Sequence, residues 1–122
     1  MKIRIIVGQE VFSADLLENE TAKAIYQALP FDLPYNTWGN EIYFEIPVHL
    51  ELENGQEIME IGDLAYWPPG HAFCIFYGKT PVSTDDRPRA ASDVTRFGKI
   101  TEGNPASLRK AKAAIIRIEK ME

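Results

Sequence analysis

Glu41-Ile42-Tyr43-Phe44-Glu45-Ile46-Pro47-Val48-His49-Leu50-Glu51-Leu52-Glu53 alternates apolar and polar side chains over its whole length. Ile42, Phe44, Ile46, Val48, Leu50 and Leu52 fall on one parity; Glu41, Tyr43, Glu45, His49, Glu51 and Glu53 fall on the other. Successive side chains of an extended chain point to opposite faces, so the run predicts β-structure with one buried and one wet face. Pro47 has no N–H to give to a ladder. It marks a bulge or a corner, and the run reads as one strand or as two joined there.

Outward from this run the punctuation is clear. Asn54-Gly55 is a turn, and Ile58–Ile61 is a short strand closed by Gly62-Asp63. Leu64–Trp67 and Ala72–Tyr77 are apolar on both parities, the pattern of strands covered on both sides, with Pro68-Pro69-Gly70 as a stiff turn between them. Upstream, residues 2–7 and 10–14 form a hairpin about Gly8-Gln9. Asn19 caps a helix whose apolar face is Ala22, Ile25, Tyr26 and Leu29 and which Pro30 stops. Downstream, residues 78–92 read as the longest loop and Val94–Thr101 as a strand. A short helix runs from the Asn104-Pro105 cap to Lys110, and Ala114–Glu119 is a terminal strand with Ile116 and Ile118 facing inward. Seven or eight strands with one main helix and a short second one argue for a closed barrel or a sandwich, and periodicity does not choose between them.

Composition narrows the function. The 122 residues suit a single domain, 1–122, with 45% hydrophobic and 25% charged residues. The 13 basic and 18 acidic side chains are spread along the chain, and no basic block is dense enough to follow a phosphate backbone, so nucleic acid is not an expected partner. No apolar run approaches the roughly 18 residues of a membrane span, and the opening Met-Lys-Ile-Arg-Ile-Ile-Val-Gly turns polar too soon for a signal peptide. The single cysteine, Cys74, fits a reducing compartment, and the cytoplasm is the expected location.

Gly62-Asp63-Leu64-Ala65-Tyr66-Trp67-Pro68-Pro69-Gly70, Ala72 through Ser83, and Asn36-Thr37-Trp38-Gly39-Asn40-Glu41-Ile42-Tyr43-Phe44 together resemble a small family of bacterial and archaeal cyclophilin-like proteins. The resemblance implies a mainly β fold, a closed antiparallel barrel of the cyclophilin kind, and implies little about activity. True cyclophilins are peptidyl-prolyl isomerases that depend on an arginine of a barrel strand and carry a Ser-Gln-Phe-Phe string. Here no arginine lies between Arg4 and Arg87, and the comparable stretch is Ala72-Phe73-Cys74-Ile75-Phe76, without glutamine. Both departures count against isomerase activity, and a divergent isomerase is the alternative reading.

No cofactor fingerprint is present: no G-x-G-x-x-G, no Walker spacing, no nucleophile elbow at Ser83 or Ser92. Two histidines, His49 and His71, and one cysteine without paired spacing predict no metal site. A Cys74–His71 nucleophile pair is disfavoured because residues three apart on a strand face opposite ways. Glu41 and Glu45 share a face, and such a pair does acid–base work only where burial raises one pKa. The alternation puts both on the wet side, although Glu41 stands out for following the Trp38-Gly39-Asn40 turn. What remains is an aromatic set beside turns: Trp38, Tyr43, Tyr66, Trp67 and Phe73, with His71 just past Pro-Pro-Gly. Packing accounts for most such residues. A groove lined by Glu41, Tyr43, Tyr66, Trp67, His71 and Phe73 is the expected site, with a small molecule or peptide as ligand.

Overall fold

The Gly8-Gln9 turn folds strand β1 (Lys2–Val7) against β2 (Glu10–Leu16) in the expected hairpin. The structure, a computed structural model, describes residues 1–121. Helix α1 (Glu20–Ala28) begins where Asn19 Oδ1 accepts the Ala22 N–H at 2.8 Å. It lays Ala22 and Ile25 into the core, and buried Leu29 follows at its end. Two short strands, β3 (Phe31–Leu33) and β4 (Asn36–Thr37), lie where no strand is expected, on either side of Pro34.

Strand β5 (Glu41–Glu45) occupies only the first third of the alternating run. The proline is the reason: after Ile46, whose N–H reaches the His71 carbonyl at 2.9 Å, the chain leaves the sheet. Its backbone is then held by a side chain. The Tyr66 hydroxyl donates to the Val48 carbonyl at 2.6 Å and accepts the Leu50 N–H at 3.2 Å. Val48 and Leu50 pack on the core from there, whereas Leu52 is exposed. The burial period survives without the ladder.

Strand β6 is Gln56–Ile58, earlier than the expected Ile58–Ile61, and β7 is Asp63–Trp67. A 3₁₀ turn at Pro68–Gly70 leads into β8 (Ala72–Phe76). Strand β9 spans Arg89–Glu102, so five residues beyond the expected Val94 start are strand and the preceding loop is shorter. A 3₁₀ helix at Pro105–Lys110, capped by Asn104, precedes β10 (Ile116–Met121).

The described strands pair antiparallel in the order β3-β10-β1-β2-β9-β7-β8-β5-β4, with β6 on β9. The closed barrel is a correction: β3 and β4 are the two ends of this path, and no ladder joins them. The intervening Pro34 offers no donor, and β4 is only two residues long. The double-sided burial of β7 and β8 is as expected. Leu64, Tyr66, Phe73 and Ile75 enter the main core with α1, where Phe73 stacks on Phe44 and meets Phe97 edge-on. Ala65, Ala72, Cys74 and Phe76 point the other way, into a smaller cluster closed by Met59, Ala90 and Val94. That second side carries the candidate site.

Candidate functional site

The first half of β9 creates the cleft. Arg89–Val94 crosses the outer face of β7 and β8, fixed by Thr80 Oγ1 donating to the Arg89 carbonyl and by the Glu57–Arg89 ion pair at 2.9 Å. Between this segment and β5 lies a cavity of about 270 Å³ lined by Trp38, Glu41, Tyr43, Trp67, Ala90, Ala91 and Val94.

Each wall is set by local chemistry. Trp38 and Glu41 close a tight turn through reciprocal backbone bonds of 2.9 and 3.2 Å. Gly39 sits in it at φ +60°, where a side chain would press within 2.8 Å of Pro81 and 2.9 Å of the Thr80 backbone. Asn40 ties the turn down, with its N–H on the Lys79 carbonyl and its own carbonyl on the Tyr77 N–H, both at 2.9 Å. The Trp67 indole Nε1 donates to Ser92 Oγ at 2.8 Å, and a Cβ on Gly70 would meet its ring at 2.8 Å. The ring is thus clamped between the Pro-Pro-Gly turn and β9. Both tryptophans of the chain line the cleft.

Glu41 is the chemical centre. The alternation predicts it wet, yet it is only 6% exposed, because β9 covers the face that period two assigns to solvent. Its strand partner Phe76 and the neighbouring Cys74 supply apolar surroundings. Among the described residues no protein group hydrogen-bonds its buried Oε1. Desolvation raises its pKa from 4.5 to about 7, and the adjoining Cys74 thiol works the other way. Asp63, the other buried acid among the described residues, is fully provided, with Arg96 Nε at 2.8 Å and the Glu60 N–H at 2.7 Å. Glu45, which shares the strand, is exposed and takes no part. Cys74 is buried, and its thiol pKa is raised well above the ordinary value, first by burial and then by Glu41.

The expected site therefore divides. Glu41, Tyr43 and Trp67 meet at the cleft with Trp38. Tyr66 and Phe73 are core residues, fully buried on the opposite side of β7 and β8. His71 precedes β8 at the far end of the β5–β8 pair: Glu45 is opposite Ala72, whereas Glu41 is opposite Phe76. Four strand residues place those ends about 13 Å apart. His71 instead adopts a left-handed conformation (φ +48°) and stacks on His49, ring centroids 3.8 Å apart and 10° from parallel. Sequence reasoning missed Ala90, Ala91 and Ser92 because their surroundings read as loop, and Val94 because it reads only as the start of a strand. Their small side chains beside a bulky aromatic set were the available signal. Among the described residues no group of three or more His, Cys, Asp or Glu gathers to hold a metal, and no helix is long and apolar enough to cross a membrane.

The fold and the sequence have known counterparts. A hypothetical protein of Archaeoglobus fulgidus, known from its solution structure, is similar at 38% identity and a TM-score of 0.83, over 99% of this chain and 95% of that one. Among curated proteins none matches. The family described as Cyclophilin-like matches residues 1–119, and the chain belongs to the cyclophilin-like family.

Proposed function

We propose that the protein binds a small organic molecule in the cleft between β5 and β9. The observation that carries this reading is the Glu41 carboxyl, buried at the cleft wall with an unpartnered oxygen. A buried polar atom without a partner is destabilising, and few are kept without a use. A ligand donor supplies the missing bond, and Trp38, Tyr43 and Trp67 supply apolar contact area. A volume of about 270 Å³ falls just under the roughly 300–1,000 Å³ of drug-sized sites, so the ligand is small. Prolyl isomerisation finds no support at this place: no arginine is among the lining residues. Pure protein should leave a standard Xaa-Pro peptide at its uncatalysed rate, with exchange times of tens of seconds or more at 25 °C.

The test is a metabolite screen read by two signals. Ligand at a hundredfold excess over Kd stabilises the fold by about 2.7 kcal/mol, a rise in Tm of roughly 6–15 °C at this chain length. Because both tryptophans line the cleft, a true ligand also changes the intrinsic fluorescence. Hits whose thermal shift survives in folded Trp67→Ala protein, or which leave the fluorescence untouched, bind elsewhere and defeat the reading.

A further inference from the structure

Resting on that reading, we propose that the ligand is a small organic monocation, a substituted ammonium or amidinium group, taken up against the rings of Trp38, Tyr43 and Trp67 and the carboxylate of Glu41. Three aromatic residues and one acid line this small cavity. Aromatic faces carry negative quadrupole density and attract cations, tryptophan most strongly. A carboxylate adds a full charge, and low-dielectric surroundings strengthen it. Among the described residues no lysine or arginine lines the cleft to compensate that charge, so the site has an acceptor and no cation. The Arg109 guanidinium is committed to the Asn40 side chain at 3.2 Å. A neutral ligand would use the apolar walls and leave the ionised form of Glu41 without a counter-charge.

The proposal makes binding proton-linked. The titratable groups facing Glu41 are Cys74 on β8, Tyr77 just beyond it, and Tyr43 on its own strand; β9 contributes only Ala90, Ala91 and Val94 to the wall. The thiol of Cys74 and the hydroxyl of Tyr77 are both raised by burial and stay neutral near pH 7. Glu41 is thus the group that titrates, from about half protonated at pH 7 in the free protein to ionised in the complex. Affinity for a cation of fixed charge scales with the ionised fraction, and with a pKa of about 7 it rises about tenfold between pH 6 and pH 8.

The test uses choline and its neutral isostere 3,3-dimethylbutan-1-ol on the full chain, followed by tryptophan fluorescence from pH 6 to 8. The expected result is that choline binds at least tenfold more tightly than the isostere at pH 8 and gains the tenfold with pH. Folded Glu41→Gln protein should lose the pH dependence and keep only the part of choline's advantage that the aromatic rings supply. No choline response, equal affinity for the isostere, or binding that tightens as pH falls each overturns the proposal. If neutral molecules from the screen still occupy the cleft in any of these cases, the small-molecule reading stands and only the cation assignment is lost.

Discussion

Replacing Glu41 by glutamine should stabilise the protein, and by an amount that depends on pH in a calculable way. Below pH 4.5 the carboxyl is protonated in both folded and unfolded chains, and its ionisation contributes nothing to the balance. As pH rises through 4.5 the unfolded chain releases the proton, while the folded chain keeps it until about pH 7. The unfolded state then binds fewer protons, so stability falls across that window and levels off above it. A shift from 4.5 to about 7 amounts at pH 7 to about 3 kcal/mol lost to the fold. Glutamine has nearly the same shape and no charge to desolvate, so Glu41→Gln recovers this loss at pH 7–8 and little of it at pH 4. Other carboxylates act in the opposite sense. Glu53, held down by the Thr21 hydroxyl, and Asp85, held down by Arg87, favour the fold at higher pH. Taking the variant minus the wild type at each pH cancels them. Urea unfolding suits the measurement: with a slope of about 1–3 kcal/mol/M, the variant's midpoint should move up by roughly 1–3 M at pH 7.5 relative to the wild type. A difference that stays constant within about 1 kcal/mol from pH 4 to pH 8 would refute the desolvation argument.

Three further outcomes follow from single contacts. Tyr66→Phe removes the hydroxyl that holds Val48 and Leu50, and should cost about 1–3 kcal/mol in urea unfolding while sparing ligand binding at the cleft. Gly39→Ala forces a side chain into a left-handed turn against Pro81 and Thr80, so it should cost at least about 1–2 kcal/mol and weaken any cleft ligand by moving Trp38 and Glu41. Cys74 should resist a thiol reagent in the native protein and react fully once unfolded; rapid native labelling would contradict its burial beside Glu41.

Local chemistry made much of this fold legible. Asn19 and Asn104 act as the caps their positions imply, and the two-sided apolar pattern of β7 and β8 corresponds to two separate clusters. The failures share a physical cause, which is that burial and hydrogen bonding are separate constraints. Val48 and Leu50 keep the strand period because the core wants them, while Pro47 and the Tyr66 hydroxyl take the backbone out of the ladder. Conversely, Arg89–Ser92 looks like loop by composition but is strand, because Thr80 and Glu57 anchor its start and β6 pairs with β9. β3 is three residues long between Pro30 and Pro34, too short for any periodic signal. Closure of the sheet depended on such short elements and was not readable.

Glu41 shows the same limit with the largest consequence. Period two says which residues share a face and leaves open what covers that face. It groups Glu41, Tyr43 and Glu45 correctly, yet the structure buries the first and exposes the last. The difference is β9, fifty residues away in sequence, which lies over one end of β5 and not the other. A carboxyl caught under such a cover lowers stability at neutral pH, a loss of the kind that stability–activity trade-offs accept at functional sites. The cation proposal ties the two effects together. A bound ammonium group would stabilise the ionised form of Glu41 that burial disfavours, so ligand should stabilise the wild type more than Glu41→Gln. The advantage of the variant in urea at pH 7.5 should therefore shrink as choline is added, and stay unchanged with the neutral isostere. An equal response to both compounds would mean that Glu41 is buried for a reason other than the ligand's charge.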